Sequence, residues 1–511
     1  MKDKIYYFAK FNLPALLSLS EQRRGQPCSC DVSQMPKSGS LNWVIFLSFE
    51  DGTEWVFRSP KSGLDCFYSD ETASKILISE ASTLLYLKAH TSIPVPEVYA
   101  YSGSSDNDIG IPYILQSKAP GRSLGSYDWT QLPQQVPGFQ HRRPLMPISN
   151  ENREKVMSQL GAMMSELSIH RFKKIGSLFD DGNGSYAVGE CLSPSLTWQE
   201  RDSLELDRGP FNQESDYFVS LISAFTSHAQ ELSLTPHTFF APVPDMLDYK
   251  SIASYQAASR RWNNFVAIGQ KIEHSKNILF YCIAGQFLSE MIPHLSSSVR
   301  NSFTLSHPDL HLGNIYVDED FNITCIIDWS SVSTGPVSEL LAAPSLGSSA
   351  APPSKRLTAA YRSGFSQRAT EITPDLPYSD LWQTSERMWY FTRLTRLLSK
   401  NDHQLFERLF ELIYKTSTDD DGREGILWLF HQRASRDENI KLLAELQEED
   451  LTAEELHERE QACFPPNRTV NSDAIAVARK LTLMSEMNPA FLADHRLWQW
   501  VEEARVQDEL P

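Results

Sequence analysis

The chain holds 511 residues, 41% apolar and 11% aromatic, the make-up of a folded globular protein with length for two or three domains. Against 47 Lys and Arg stand 65 Asp and Glu, a net charge of −18, so the surface repels nucleic acid and anionic membranes while tolerating a cationic small molecule. Seven cysteines form no C-x-x-C pair and no metal-ligand spacing, no apolar run nears the ~20 residues that span a bilayer, and the N-terminus lacks a secretory or transit pattern. The expectation is a reducing compartment, cytoplasmic first and mitochondrial second.

Residues 1 to 38 read as irregular, because Pro14, Pro27 and Pro36 argue against one long element. Leu41 to Phe49 and Glu54 to Arg58 flank Asp51-Gly52, a strong hairpin signal. A helix is predicted from Asp70 to Ala89, its apolar side built by Ile76, Leu77, Ala81, Leu84, Leu85 and Leu87, and it stops at Ile93-Pro94-Val95-Pro96. Val98 to Tyr101 and Ile111 to Gln116 complete a sheet of about five strands. Past Ser117-Lys118-Ala119-Pro120-Gly121 the period changes from two to 3.6, with an amphipathic helix on Val156, Leu160, Met163, Met164 and Leu167. A Gly-Asn hairpin is expected over 176–190, then helices near 213–233, 252–272 and 276–294. Arg208 to Phe211 and Phe240 to Pro244 are loop landmarks.

The chemistry concentrates later. Leu305-Ser306-His307-Pro308-Asp309-Leu310-His311-Leu312-Gly313-Asn314 fits H-x-D-x-x-x-x-N, in which the Asp accepts the proton of an attacking hydroxyl and the Asn holds a magnesium ion. Ile315 to Val317, a turn over Asp318 to Asn322, and Ile323 to Ile327 predict a β-hairpin. A hairpin brings its open ends together, so Asn314 and Asp328 should lie side by side and share one cation. Asp309 and His307 form the catalytic set, although a loop histidine such as His307 usually hydrogen-bonds backbone. His311 is equally a pocket wall or loop packing. A Ser/Pro/Ala-rich loop spans 330–354, helices follow to about 416, and the stripe from Trp382 to Leu397 reads as core. From 418 the chain turns acidic, and Thr452-Ala453-Glu454-Glu455 opens a further helix.

H-P-D-L-H-L-G-N-I-Y-V followed by I-I-D-W resembles the catalytic core of the aminoglycoside phosphotransferase and choline kinase-like family, and in particular its uncharacterised fungal branch. The resemblance runs from about residue 25 to 345 and weakens beyond 400. Asp328-Trp329-Ser330 stands where protein kinases have D-F-G, and no A-P-E segment follows, which is against a protein substrate. The resemblance implies an α+β, two-lobed protein-kinase-like fold: a small antiparallel lobe with one helix (1–117), a large mainly helical lobe (118–416) and a helical acidic extension (417–511). It implies ATP and Mg2+ as cofactors and a small-molecule hydroxyl as acceptor. Arg58, or failing it Lys61, would grip the phosphates in place of the usual lysine, with Glu80 as its ion-pair partner. Gly39 and Asn42 would belong to the nucleotide-covering loop, which by itself reads as a simple turn. Gln116, Ser117 and Lys118 would form the hinge along the base. The alternative is a catalytically inactive nucleotide-binding scaffold, favoured by the arginine and the single glycine of the covering loop.

Overall fold

The computed structural model describes residues 3–61, 68–130, 145–232, 251, 253, 275–296, 302–347, 352–372, 381–396, 398–399, 402–414 and 426–448. The helices expected over 252–272 and after Leu451, the Phe240 to Pro244 landmark and most of the 417–511 extension lie outside them. The chain forms two compact units, Met1–Tyr217 with Ser296–Trp389, and Phe218–Leu295 with Tyr390–Pro511.

The first unit starts with a helix where irregular chain was expected, α1 (Leu13–Arg24). Pro14 sits in its first turn, where the missing N–H is needed by no carbonyl, so the proline opens the helix instead of forbidding it. Asn12 caps it by accepting from the Ala15 N–H at 3.2 Å, and Gly25 ends it at φ +74°. Strands β1 (Cys28–Ser29), β2 (Lys37–Ser38), β3 (Asn42–Phe49) and β4 (Glu54–Pro60) precede helix α2 (Asp70–His90), and β5 (Val98–Ser102) and β6 (Tyr113–Ser117) follow it. Together they make a six-stranded antiparallel sheet in the order β1-β3-β4-β6-β5, with β2 on β3. The β3–β4 turn needs Gly52 at φ +83°.

Alternation decides which face each side chain takes. Trp43, Ile45, Leu47 and Phe49 of β3 join Trp55 and Phe57 of β4 and pack with Leu13 and Leu16 of α1. The opposite face carries Ile114 and Arg58, and Leu77 and Ala81 of α2 close over Ile114. The sheet is thus covered on both sides, and a buried arginine is left facing α2.

Beyond the sheet come β7 (Arg122–Ser123), α3 (Asn150–Leu167), the hairpin β8 (Leu178–Asp180) and β9 (Tyr186–Val188), then β10 (Thr304–Ser306), β11 (Ile315–Val317), β12 (Ile323–Ile326) and β13 (Ser333–Gly335). The described residues hold the α+β order expected, a small antiparallel sheet followed by a mainly helical region, except that the sheet carries two helices, α1 as well as the α2 foreseen. The expected 330–354 loop is partly a strand, since β13 pairs antiparallel with β10. Its polar composition misleads at Thr334, whose hydroxyl is satisfied by backbone, donating to the Lys174 carbonyl at 2.7 Å.

In the second unit, helix Ser275–Leu295 packs against helices Asp402–Tyr414, Ile426–Ala434 and Asp437–Gln447. Phe287 meets Phe406 and Phe430 with ring centroids at 6.1 and 5.3 Å. Its segment Asn277–Leu295 reaches a mean hydropathy of 1.2 over 19 residues, long and apolar enough by composition to cross a membrane, and 61% of it is buried in the structure. Met388, Trp389, Phe391 and Leu394 are buried, as a core stripe requires.

Glycines set how closely α3 meets helix Lys355–Ile372. A Cβ on Gly161 would lie 2.0 Å from the Tyr361 carbonyl oxygen, and one on Gly364 would lie 1.9 Å from that of Ser158. Gly161→Ala gains at most about 1 kcal/mol of helix propensity. The backbone shift it forces costs about 1–3 kcal/mol or more. Chemical denaturation should therefore show Gly161→Ala less stable than the wild type, and equal or greater stability would contradict this packing.

Candidate active site

The hairpin β11–β12 forms as its residues demand. Ile315 faces Ile326 and Tyr316 faces Cys325 across β11 and β12. In the turn, the Asp318 carboxylate accepts from the Asp320 and Asn322 N–H groups at 3.0 and 2.8 Å. At the open end the Ile327 N–H donates to the Asn314 carbonyl at 2.9 Å, so Asn314 and the residue before Asp328 are hydrogen-bonded neighbours. β7 adds a third strand to β11, and the Ser123 hydroxyl reaches the Leu312 carbonyl at 3.2 Å. Gly121, at φ +85°, is what lets the chain come so close, because a Cβ there would stand 2.4 Å from the Val317 oxygen.

The loop between β10 and β11 is held by its own histidine. His307 is buried, its Nδ1 accepting from the Asp309 N–H at 3.1 Å and its Nε2–H donating to the Ile327 carbonyl at 3.2 Å. Burial pushes its pKa down, so both nitrogens serve as a neutral clamp between the loop and the hairpin exit. The Asn314 amide donates to the Asp309 carbonyl at 3.0 Å, which leaves its oxygen as the remaining ligand atom. The carboxylates stay accessible, with side-chain exposures of 32% at Asp309 and 36% at Asp328. Asp328 sits at φ +63°, a left-handed conformation uncommon outside glycine.

Arg58 ties the sheet to this hairpin. It is 8% exposed, and its Nη1 pairs with Glu80 of α2 while its Nη2 stands 3.0 Å from Asp328 Oδ1. The Ser330 hydroxyl donates to the same oxygen at 2.8 Å. Burial pushes the Glu80 carboxyl up to about 7, against the pull of Arg58 and a hydrogen bond from the Trp329 N–H. α2 itself is fastened at several points along its length. The Ser69 N–H donates to Asp202 at 2.8 Å, Lys75 pairs with Glu190 at 2.9 Å, and the Asp180 N–H donates to the Ser82 hydroxyl at 2.9 Å.

The other expected site residues are placed unevenly. Asn42 joins Arg58, Glu80, Tyr68, Ile114 and Ser330 around one pocket, whereas Gly39 lies at the β2–β3 turn, donating to the Asn42 carbonyl at 2.9 Å. Gln116 shares the sheet face of Arg58, and its Oε1 is buried without a hydrogen-bond partner. Ser117 has its N–H and hydroxyl taken by Glu97, at 2.8 and 2.9 Å. Lys118 is drawn to Glu54 and to the Phe46 ring, 5.5 Å from its centroid. Lys61 lies 5.5 Å over the Phe8 ring, so it is Arg58 that stands beside Glu80 and Asp328.

Sequence reasoning missed Ser123 and Ser330. Ser123 depends on the register of β7 with β11, which no local pattern encodes. Ser330, two residues after Asp328, could have been found as a short polar side chain beside a carboxylate. Among the described residues no three His, Cys, Asp or Glu side chains gather to hold a metal. Magnesium asks for less, since one or two protein oxygens plus phosphate and water complete its shell. The Asn314 and Asp328 donor set fits that demand.

No protein-family model matches the chain. Over 324 residues it is 25% identical to a subtelomeric hrmA-associated cluster protein of Aspergillus fumigatus, a match covering 60% of this chain and 58% of that protein. A stretch of 152 residues is 30% identical to "altered inheritance of mitochondria protein 9, mitochondrial" of Candida dubliniensis, covering 29% of this chain and 22% of that one. Among solved structures the chain is similar to the macrolide 2'-phosphotransferase MphH of Brachybacterium faecium, apoenzyme, with a TM-score of 0.39 and 14% identity over 80% of this chain and 99% of that one. The chain spans little more than half the length of the Aspergillus relative.

A half-buried acid, its Oε1 shut off from solvent, lies behind β10. The Ser306 hydroxyl is 3.5 Å from Glu339 Oε2, Tyr217 hydrogen-bonds the same carboxyl, and Glu339 Oε1 is buried without a partner. Burial, reinforced by the charge of Glu214, pushes Glu339 from 4.5 up to about 8. Because the folded value lies above the unfolded one, its contribution to stability is full below about pH 4.5, falls as pH rises, and is lost above about pH 8. The difference in unfolding free energy between Glu339→Gln and the wild type should grow with pH over that window, by up to about 5 kcal/mol. A pH-independent difference would contradict the burial of the Glu339 carboxyl.

Proposed function

We propose that the chain is an ATP-dependent phosphotransferase that moves the γ-phosphoryl group to a hydroxyl of a small molecule. The observation that carries this reading is the Arg58 guanidinium spanning Glu80 and Asp328, with Asn314 hydrogen-bonded beside the same hairpin exit. Packing alone has little use for such an arrangement. A buried arginine with two carboxylates, one of them solvent-accessible and next in the chain to Ile327, whose N–H is bonded to the Asn314 backbone carbonyl, matches the needs of a triphosphate with its cation.

In this reading Asp309 orients the acceptor hydroxyl and takes its proton as the new O–P bond forms and the bond to the departing ADP breaks. His307 fixes the Asp309 backbone, and Arg58, held by Glu80, lies against phosphate oxygens as a permanent cation. Asn314 and Asp328 would hold magnesium, which supplies charge neutralisation on the phosphates when bound. The net charge of −18 favours an uncharged or cationic acceptor and disfavours nucleic acid. For the compartment, the cytoplasmic expectation stands beside a mitochondrial one, the latter supported by the name of the Candida relative.

A second reading, a nucleotide-binding scaffold without turnover, has two observations in its favour. Arg58 already engages the would-be metal ligand Asp328, and the Ser117 N–H of the hinge is spent on Glu97. Asp309→Asn separates the two. Under the first reading it lowers Mg-ATP turnover by about 10²-fold or more while ATP affinity changes little. Full turnover in that variant refutes the role of Asp309, and ATP binding with no turnover in the wild type supports the scaffold.

A further inference from the structure

We infer that His311 is a positioning residue for Asp309, the second of two histidines that set this carboxylate in place. The inference rests on the reading of Asp309 as the proton acceptor. The two imidazoles act on different parts of the same residue. His307 accepts from the Asp309 backbone N–H, while the His311 Nε2 stands 3.8 Å from the Asp309 carboxylate Oδ2.

The tautomer follows from the loop itself. His311 Nδ1 accepts the Gly313 N–H at 2.9 Å as the cap of the short turn Leu312–Asn314. An imidazole that accepts at Nδ1 carries its hydrogen on Nε2, the nitrogen nearest Asp309. Gly313 leaves the ring room to sit there, since a Cβ at that position would lie 2.7 Å from His311 Cε1. The ring is therefore anchored at one nitrogen and presents a donor with the other.

At 3.8 Å the contact is longer than a hydrogen bond. Catalytic hydrogen bonds are commonly long without substrate and tighten in the reacting complex. With the ring held through Nδ1, it is the Asp309 carboxylate that must turn to close this one. When it closes, one carboxylate oxygen is held by His311, and the other is left to face the acceptor hydroxyl. The side chain of His311 is 47% exposed, so packing does not explain its place.

Two substitutions split the roles of the ring. His311→Asn keeps an acceptor at the Nδ1 position for the Gly313 N–H and loses the donor at Nε2, whereas His311→Gln keeps a donor at the Nε2 reach. ATP hydrolysis with magnesium, water serving as acceptor, is the turnover assay for the full chain. His311→Asn should lower kcat by about 10- to 100-fold with KM for ATP within about twofold, and His311→Gln should recover most of the loss. Wild-type kcat in His311→Asn, or equal loss in both variants, overturns the inference.

An independent readout is the imidazole 15N spectrum of His311. It should report an Nε2–H tautomer whose Nε2 resonance moves in Asp309→Asn, and an unmoved resonance overturns the contact. This spectrum is read whether or not ATP is turned over. A moved resonance in a chain without turnover upholds the contact and removes the phosphotransferase reading instead.

Discussion

A guanidinium that cannot lose its charge, shut between a sheet and a helix, constrains everything around it. Arg58 is 8% exposed and Glu80 only 3%. Stripping such a pair of one partner leaves a buried, uncompensated charge, at a cost of about 3–5 kcal/mol. That penalty forces α2 to keep Glu80 over β4. It also gives Arg58 a second valence, its Nη2, which the hairpin answers with Asp328. A lysine ammonium would be a point charge; the arginine fork is wide enough to touch two carboxylates from two elements at once. One residue thereby couples the strand, the helix and the exit of β12.

The remaining geometry preserves that coupling. The hairpin β8–β9 and the loop after it fasten α2 through Ser82, Lys75 and Ser69, while Phe179 and Leu192 pack with Tyr68, Ala73 and Ile76. Exposed pairs such as Lys75 with Glu190 contribute little alone, about 0–1 kcal/mol. The apolar contacts and the satisfied backbone groups matter more. On the other side, His307 bridges Asp309 and Ile327, so the loop and the hairpin exit move as one piece. Asp328, left-handed like Ser331 three residues on, stands at the junction of these parts, where its carboxylate meets both Arg58 and Ser330.

Where local pattern dictates structure, the sequence was legible. The hairpin β11–β12 follows from its apolar strands around the Asp318 to Asn322 turn, and α2 from its apolar side and proline stop. Where a side chain is overruled by tertiary partners, it was not. Pro14 looks like a breaker until it falls in a first turn, and Ser333-Thr334 of β13 looks like loop until the Lys174 and Gly176 carbonyls satisfy the threonine hydroxyl. Asp309, Asn314 and Asp328 were legible by spacing. Glu80 came only through resemblance, because a helix glutamate is ordinarily solvated, and Gln116, Ser117 and Lys118 came by their position in the chain and not by side-chain pattern, the Lys118 ammonium being drawn to Glu54 and Phe46.

Asn314 and Asp328 are proposed to bind a cation together with a triphosphate. Calorimetric titration of ATP into the full chain, with magnesium and then with the metal chelated, probes that shared site, alongside Asp328→Asn. ATP should bind, removing magnesium should weaken it by about tenfold or more, and Asp328→Asn should abolish this dependence. No ATP binding, or the same affinity with and without magnesium in the wild type, would contradict it.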